Sequence, residues 1–399
     1  MRVLFITSIY PSENKPAAGV FHQTQADSLK ELGVKVDVVC PVPYTPKFLG
    51  VINKRYQEYL NQPLHYKWAG IDIYRPRFLA YPGQLKWSQP HKRFAKAVDR
   101  AIQENNLEFD VIHAHLAMPA GGAAAIIAKK YNKPYVLTLH GSDVNVYPHY
   151  SKGAMEAFRF AVRNAKEVIA VSGALAEETE RLTGVKPRVL AIGINMERFE
   201  GADLDEQSKR AIRDKLGLPK DKKILLYIGR LVNEKGIREL VEAMKQLNDT
   251  FRLVLIGDGP LLQEVKVHPN IIVTGQIPND CVKDYLLASD LFVLPSYNEG
   301  MPTVIIEALS LKVPVISSNV GGVPELFGEQ KDLLIEPKST KQIVEKVEQY
   351  SEGIIYTEEV RDSLYEKVKG KFDVKKNSLD LTFLYKQMQE KNPNNEVEK

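Results

Sequence analysis

Short apolar runs alternate with amphipathic segments along this chain, and the alternation occurs twice. The segments between the runs, such as Phe21–Leu32 and Gly121–Tyr131, have the spacing of helices. Strands that alternate with helices predict parallel sheets with helices on both faces. Two such series predict an α/β fold of two Rossmann-like, doubly wound domains. The predicted strands are Val3–Thr7, Val36–Cys40, Val111–His115, Tyr135–Leu139 and Val168–Val171, then Lys223–Ile228, Leu253–Ile256, Ile271–Thr274, Leu291–Leu294 and Val313–Ser317.

The length and the pattern together predict the domain boundaries. A chain of 399 residues exceeds what one hydrophobic core usually organises, and the strong pattern lapses near Ile192–Asp205. We therefore expect an N-terminal domain over residues 1–193 and a second domain over residues 194–375. Residues 376–399 are expected to form a last helix with a frayed polar end. Ligands of such sheets bind beyond the carboxyl ends of the strands, so we expect the two domains to face each other across a cleft.

The composition is that of an ordinary globular protein, with 44% hydrophobic and 26% charged residues. The two cysteines, Cys40 and Cys281, lack metal-ligand or CxxC spacing and fit a reducing compartment. The first apolar run is too short for a signal peptide, and no run approaches the ~18 apolar residues of a membrane span. We expect a cytoplasmic protein.

The charge is uneven along the chain. Residues 1–190 hold 25 Lys/Arg and 16 Asp/Glu, whereas the remainder holds 29 and 34. The basic segment Gln89–Asn105 and the long Pro- and Tyr-rich loop Pro41–Trp68, which includes Tyr44, Phe48, Tyr56 and Tyr59, could form an acceptor or membrane surface. A solvated surface fits equally well. No basic run has the aromatic spacing of a nucleic-acid site.

The segment Asn298–Leu309 carries the most chemistry. A strand ends just before it, and Gly300 and Pro302 turn the chain into a helix. We expect Pro302 in the first helical turn, with free N–H groups after it that attract an anion. Glu299 lies before this helix and Glu307 lies on it. The arrangement suits a ligand with phosphate between two sugars.

A second segment, Gly229–Gly236, follows the first strand of the second half. It carries Arg230 and Lys235, which can converge on one diphosphate, because Arg binds phosphate as a planar fork and Lys as a point charge. Two unrelated cations on a solvated loop would give the same pattern.

Other loops that follow strands supply further candidate site residues, for which the sequence evidence is weaker. Gln276 and Ile277 follow a strand and could flank a flat base, and His140-Gly141-Ser142-Asp143 ends another strand. Gly19 lies near a helix start, where it permits close approach to phosphate. The turn Gly257–Pro260 is a common type with little functional weight.

The sequence lacks the motifs of several other kinds of catalytic or binding site. The pairs His113/His115 and His140/His149 form no credible metal constellation, and no GxSxG, Walker A or HExxH motif occurs. There is also no GxGxxG after the first strand. We expect no metal and no cofactor.

In combination these motifs resemble those of glycosyltransferase family 4, retaining enzymes of the GT-B fold. Glu299 and Glu307 match the E-x7-E motif, the segment Gly229–Gly236 is similar to the phosphate-binding loop, and His140–Asp143 is similar to the donor-sugar loop. The pattern Tyr10-Pro11 followed by Gly19–Gln23 resembles bacterial cell-wall and exopolysaccharide enzymes, including those for teichuronic acid.

The resemblance implies that the first domain is the acceptor-side domain, that the second binds the nucleotide-sugar donor, and that the final helix crosses back onto the first domain. It also implies roles for individual residues. Arg230 and Lys235 would bind the diphosphate, Glu307 the ribose hydroxyls, and Glu299 and His140 the donor sugar. Asp143 would hold its loop or the acceptor. The implied catalytic residues are Arg230, Lys235, His140 and Glu299; the implied donor-binding residues are Gly19, Asp143, Gly229, Gln276, Ile277, Gly300, Met301, Pro302, Thr303, Val304 and Glu307.

The function implied by the resemblance is metal-independent, retaining transfer of a sugar from a nucleotide sugar, taken as a UDP-sugar. The acceptor would be a polysaccharide or lipid-linked saccharide of cell-envelope or exopolysaccharide synthesis, with peripheral contact at the inner membrane face and no nucleic acid. Two alternatives within the same chemistry are a nucleotide-sugar epimerase of the same fold and a transferase for a small soluble acceptor. A two-domain binding protein of periplasmic type is the alternative from another class.

Overall fold

A computed structural model describes residues 1–46, 57, 59–199, 205–266 and 268–390. The chain divides into two compact units, each described by itself below. The first unit comprises Met1–Ile192 and the C-terminal segment that starts at Val374, and the second comprises Gly193–Asp373. No helix among these described residues is long and apolar enough to cross a bilayer.

The first unit is built on an eight-stranded sheet in the order β10-β9-β8-β7-β1-β2-β5-β4. The neighbouring strands of this sheet pair in parallel, except that β4 is antiparallel to β5. Strands β3 and β6 form a separate parallel pair. The strands are β1 Arg2–Ile6, β2 Lys35–Val39, β3 Val42–Pro43, β4 His65–Trp68, β5 Ile71–Tyr74, β6 Arg77–Phe78, β7 Val111–His115, β8 Tyr135–Leu139, β9 Glu167–Ala170 and β10 Arg188–Val189.

The longer helices cover this sheet with their buried apolar sides. The C-terminal helix packs on the first helix, and its Leu381, Leu384 and Tyr385 are buried in the same core as β1 and β2. The helices of the unit are α1 Val20–Glu31, α2 Gln84–Trp87, α3 His91–Glu104, α4 Gly122–Tyr131, α5 Ser142–Asn145, α6 Lys152–Arg163, α7 Gly173–Thr183 and, at the C-terminus, α16 Val374–Glu390, with short helical turns at Ala117–Gly121 and Tyr147–Tyr150.

The second unit has a six-stranded, wholly parallel sheet in the order β13-β12-β11-β14-β15-β16. This is the doubly wound order 3-2-1-4-5-6. Its strands are β11 Lys223–Ile228, β12 Phe251–Ile256, β13 Ile271–Gly275, β14 Leu291–Leu294, β15 Val315–Ser318 and β16 Leu334–Ile335.

Near-continuous apolar strands are expected where both faces of a sheet are covered, and β11 and β14 are almost wholly buried. The helices that cover this sheet are α8 Glu206–Leu216, α9 Ile237–Gln246, α10 Leu262–Val265, α11 Val282–Ala288, α12 Thr303–Ser310, α13 Val323–Phe327, α14 Thr340–Ser351 and α15 Glu358–Lys371, with short turns at Met196–Phe199, Asn233–Lys235, Asn279–Cys281 and Lys331–Leu333.

The predicted α/β fold class is confirmed, and every predicted strand is present with ends shifted by at most two residues. The start of β15 illustrates such a shift. The prediction began at Val313, whereas the strand begins at Val315, after Pro314, which has no N–H for a ladder.

The interpretation of Pro41–Trp68 as one irregular loop is wrong at both ends, which hold β3 and β4. Strand β4 joins β5 through Ala69 and Gly70, both with positive φ, as in a tight two-residue hairpin turn. Phe48 and Tyr56 of this segment lie outside the described residues.

Candidate functional site

The second unit places its candidate residues at the switch point of its sheet. Strands β11 and β14 are neighbours, and the chain winds in opposite directions from them, which leaves a crevice at their carboxyl ends. The loops that follow these two strands carry Lys235 and Glu299, 64 positions apart. Lys235 Nζ lies 2.5 Å from Glu299 Oε1, and the two side chains are only 19% and 11% exposed. The topology therefore brings two of the predicted site residues together.

A glycine makes this contact sterically possible. Gly236 has φ of 69° and directly precedes helix α9. A Cβ at this position would lie 2.0 Å from the carbonyl oxygen of Pro295 in the loop after β14. Only glycine lets the two loops approach this closely. Gly236 thus fixes the position of the neighbouring Lys235.

The backbone around Arg230 is held by neighbours on both sides. The Tyr227 hydroxyl donates to the Arg230 carbonyl at 2.9 Å, and the Leu231 N–H donates to the Asp258 carbonyl at 2.9 Å. The Arg230 side chain is exposed, and its guanidinium forms no ion pair with any residue in the described ranges. A rigid backbone therefore presents an available cation.

The turn Gly257–Pro260 has a clearer role than its sequence indicated. A Cβ on Gly257 would lie 1.8 Å from the Gly229 carbonyl oxygen, and one on Gly259 would lie 2.3 Å from that of Leu231. These glycines let the β12 loop support the backbone on which Gly229 and Arg230 lie. The available sequence signal was the Gly-x-Gly spacing directly after a strand.

The Glu299 loop is supported in the same way. A Cβ on Gly321 would lie 1.8 Å from the Glu299 carbonyl oxygen, and the Gly322 N–H donates to the Gly300 carbonyl at 2.9 Å. The sequence did not mark this glycine pair as part of the site. The contacts fix the backbone from which the Glu299 carboxylate projects toward Lys235.

Helix α12 begins one residue later than expected. Pro302 has ψ of 107° and lies just before the helix, which starts at Thr303. The Ile305 N–H bonds to the Pro302 carbonyl at 3.1 Å, so it is not among the free amides. Met301, Thr303 and Val304 are partly exposed around the helix start. The backbone N–H groups that remain available for the predicted anion site are therefore those of the first residues of this helix.

Glu307 lies on the second turn of α12 and is partly accessible. Burial raises the pKa of its carboxyl to about 7, and the positive charge of Arg198 opposes this rise. Arg198 belongs to the short turn Met196–Phe199 and donates to the Asn279 carbonyl. Sequence reasoning missed Arg198, because nothing in its neighbourhood marks it as close to Glu307.

Gln276 and Ile277 directly follow β13, which lies two strands from β11 in the sheet. Gln276 is exposed and Ile277 is half-buried. Both residues lie at the carboxyl edge that also carries the Arg230 and Glu299 loops, as expected for a parallel sheet.

In the first unit, Asp143 organises the loop that contains His140. Its Oδ1 accepts from the His140 and Gly141 N–H groups at 3.0 and 2.8 Å, and its Oδ2 accepts from the Ala117 N–H at 3.0 Å. Burial raises the pKa of Asp143, and these hydrogen bonds oppose the rise. The contacts tie the loop after β8 to the segment after β7.

His140 belongs to a group of packed imidazoles at the same sheet edge. Its ring lies 5.0 Å from that of His22, and the His22 and His115 ring centroids are 4.3 Å apart. His22 is presented by α1, which begins after Gly19. Gly19 has φ of 73°, and a Cβ there would lie 2.9 Å from the Ile9 carbonyl oxygen.

Among the described residues, His22, His115 and His140 bring their possible ligand atoms within 4.8 Å of one another, a group that could hold a metal ion. The sequence pairs missed it because His22 comes from a different element. Burial lowers the pKa of each ring, so the imidazoles are neutral. His115 Nδ1 and His140 Nε2 are 3.2 Å apart, which is also the distance of a hydrogen bond between two neutral rings.

Comparisons with known proteins agree with this architecture. Residues 18–198 match Glycosyltransferase Family 4, and residues 208–369 match Glycosyl transferases group 1. TuaC of Bacillus subtilis strain 168, a glycosyltransferase named for teichuronic acid biosynthesis, is 51% identical over 96% of this chain and 98% of its own length.

Two solved structures share the fold over nearly their whole length. The sucrose-phosphate synthase of Thermosynechococcus elongatus has a TM-score of 0.76 at 20% identity, with 97% of this chain and 99% of that chain covered. HepE of Anabaena in complex with UDP-glucose has a TM-score of 0.72 at 19% identity, with coverage of 97% and 100%. The chain is a glycosyltransferase of the GT-B fold and belongs to glycosyltransferase family 4.

Proposed function

We propose that this enzyme transfers a sugar, with retention of its anomeric configuration and without a metal, from a UDP-sugar to a saccharide or lipid-linked acceptor. The proposed setting is cell-envelope polysaccharide synthesis at the cytoplasmic face of the membrane, with the enzyme associated peripherally. The convergence of Lys235 and Glu299 at the β11/β14 switch point carries the proposal. The name of TuaC supports the pathway, and the UDP-glucose complex of HepE supports the donor.

The proposed chemistry follows from the charges at this edge. Departure of the sugar builds negative charge on the diphosphate, so preorganised positive groups stabilise the transition state. Arg230 is exposed on a fixed backbone and would receive that charge. Lys235 has three N–H donors, so it can keep its bond to Glu299 and donate to a phosphate oxygen as well.

The carboxylates have separate proposed roles. Glu299, held by Lys235 and by the Gly321–Gly322 turn, would accept hydrogen bonds from donor-sugar hydroxyls. Glu307 would bind the ribose, and Gln276 and Ile277 would flank the base. In the first unit, His140 would contact the donor sugar, and Asp143 would keep its loop in shape.

A thermal-shift panel tests the donor. UDP, GDP and ADP, and their glucose and N-acetylglucosamine forms, are added at about one hundred times their dissociation constants, where a ligand adds about 2.7 kcal/mol of stability. We expect UDP and at least one UDP-sugar to raise the melting temperature. A response to GDP or ADP alone would exclude UDP, and no response to any nucleotide would reject the donor site.

Proton NMR of the product then tests the stereochemistry. Retention predicts that the transferred sugar keeps the anomeric coupling constant of the donor, whereas inversion would change it. Conversion of the donor to an epimer without acceptor would instead favour the epimerase alternative.

A further inference from the structure

An exposed cluster of large apolar side chains lies on the first unit. Trp87 is 63% exposed and Leu79 51%, and Tyr150, Tyr81 and Phe160 are each about two-fifths exposed. We call these five residues, with Lys86 and Arg93, the aromatic–basic surface. Single exposed apolar residues need no explanation, but a contiguous group marks an interaction site.

Ring contacts and cation–ring contacts connect the members of this surface. The Tyr81 and Trp87 ring centroids are 5.7 Å apart, and the Arg93 guanidinium lies 4.8 Å from the Tyr81 ring. On the same short helix as Trp87, Lys86 Nζ lies 5.4 Å from the Tyr150 ring. His91 of α3 contacts the Phe160 ring of α6 at 5.7 Å. Helix α2 also packs against α6 and against the turn Tyr147–Tyr150. Residues 79–83, α2, α3, α6 and this turn therefore form one continuous surface.

The cluster is held in a fixed shape. Arg93 donates to the Leu79 carbonyl at 2.9 Å and to the Ser88 hydroxyl at 2.8 Å. The Trp87 indole N–H donates to the Pro82 carbonyl at 3.0 Å. Because its polar group is already bonded within the protein, the Trp87 ring can enter an apolar phase without leaving a donor unpaired.

The surrounding charge identifies the partner. Residues 79–100 hold five Lys/Arg and one acid, Asp99, and residues 150–163 hold three and one. Lys130 donates to both Asp99 oxygens, at 2.7 and 2.6 Å, so this acid is already paired with a cation of helix α4. Lys86, Lys92 and Lys96 are all exposed.

These features favour an anionic bilayer over a protein. Protein interfaces are enriched in aromatic residues and arginine but depleted in lysine. Membrane interfaces accept Trp and Tyr at the headgroup level, and each nearby Lys or Arg adds attraction to anionic lipid. We propose that the aromatic–basic surface docks this enzyme onto an anionic lipid membrane.

The placement is consistent with the proposed function, on which this inference rests for its biological meaning. The turn that carries Tyr150 continues directly from α5, which follows His140 and Gly141. Docking through this turn would bring the His140 loop near the headgroups. A lipid-linked acceptor would then reach the first unit without leaving the bilayer.

Vesicle binding of the full chain tests the proposal without any nucleotide. The chain is mixed with vesicles of phosphatidylcholine alone or of equal parts phosphatidylcholine and phosphatidylglycerol, and the bound fraction is measured by sedimentation. Trp68 is replaced by Phe in a parallel sample, so that the emission of Trp87, the other of the two tryptophans, reports on its own environment. We expect binding to the anionic vesicles, a blue shift of the Trp87 emission, and weaker binding at high salt.

Two double variants and a matched control sharpen the test. Trp87→Glu/Phe160→Glu and Lys86→Glu/Lys92→Glu should each reduce the vesicle partition coefficient at least tenfold. Phe383→Glu is the control, because Phe383 is also 63% exposed but lies on α16; it should bind like the wild type. A far-UV circular dichroism spectrum and a melting temperature like those of the wild type show that a variant is folded.

Three results would overturn the proposal. They are no binding of the wild type to anionic vesicles, an equal loss in Phe383→Glu, or a self-association seen by light scattering that Trp87→Glu/Phe160→Glu abolishes while vesicle binding persists. Failure of the proposed transferase function is a separate outcome, since it would appear as a missing nucleotide response in a chain that still binds vesicles.

Discussion

At the scale of single residues, the pairing of Lys235 with Glu299 is the most informative contact. The two side chains are largely shielded from water and lie 2.5 Å apart, at positions where the sequence already predicted a cation for phosphate and a carboxylate for sugar. Partly shielded ions are costly unless they are paired. The pair therefore holds both groups in position before a ligand arrives.

Glu307 predicts a pH dependence of donor binding. Its pKa is raised to about 7, so the carboxylate fraction falls about tenfold between pH 8 and pH 6. An ionised carboxylate accepts hydrogen bonds from two ribose hydroxyls, whereas a protonated one has lost acceptor capacity. The affinity for UDP-glucose, which does not itself titrate in this range, should therefore weaken up to about tenfold as the pH falls from 8 to 6.

Isothermal titration calorimetry at several pH values measures this dependence. Glu307→Gln should bind with an affinity that is independent of pH, and the exposed Glu264→Gln should behave like the wild type. A wild-type affinity that stays constant from pH 6 to pH 8 would refute the proposed role of Glu307.

At the scale of elements, glycines in neighbouring loops determine how the site is assembled. Gly236 and Gly321 each lie so close to a carbonyl of the β14 loop that a Cβ would overlap it. These contacts join loops that are distant in sequence but adjacent at the edge of the sheet. The loop geometry thus depends on backbone packing as well as on the charged side chains.

Gly321→Ala should therefore impair stability and donor binding together. Gly353→Ala is the matched control, because Gly353 has φ of 75° against 53° at Gly321, but nothing lies within 4 Å of its Cβ position. Backbone strain alone should cost each variant about 1–2 kcal/mol. The unfolding free energy of Gly321→Ala should be lower than that of Gly353→Ala by at least about 2 kcal/mol, and Gly321→Ala should bind UDP more weakly. Equal unfolding free energies and equal UDP affinities in the two variants would show that the contact with Glu299 is unimportant.

Sequence patterns predicted the strands well, because β11 and β14 are uninterrupted apolar runs that only a covered parallel sheet accommodates. The positions of the candidate loops could be predicted as well, because the topology places these loops after the strands. The contribution of Gly321 and the approach of Arg198 to Glu307 could not be predicted. Both depend on the distances between loops, which no local pattern encodes.

At the scale of the whole molecule, the packed imidazoles predict acid sensitivity of the first unit. His113 belongs to this group, because its ring lies 4.3 Å from that of His115. Burial lowers the pKa of His22 and of His113 to about 3. A histidine whose pKa is depressed by folding binds fewer protons in the folded than in the unfolded state. Stability is therefore fully present above the unfolded value of about 6.5 and is lost as the pH falls from there toward 3.

At pH 5 each of these two rings should cost about 2 kcal/mol of stability relative to pH 7.5. Differential scanning calorimetry should show the loss in the transition that UDP does not shift. His113→Asn should lose less on acidification, whereas His149→Asn, at an exposed position, should retain the full effect. A first-unit melting temperature that is the same at pH 7.5 and pH 5 would contradict the buried, neutral state of the cluster.

The proposed function requires that the second unit bind a donor diphosphate and stabilise it as it leaves. The most direct test is the rate of UDP release, by transfer to an acceptor or more slowly to water, from the donor selected by the thermal-shift panel. Arg230→Ala should release UDP roughly 10²-fold more slowly than the wild type, because it removes a cation that faces the developing charge. The control Arg238→Ala removes an exposed cation paired with Glu264 and should keep the wild-type rate. A wild-type rate of UDP release in Arg230→Ala would show that Arg230 does not stabilise the leaving diphosphate.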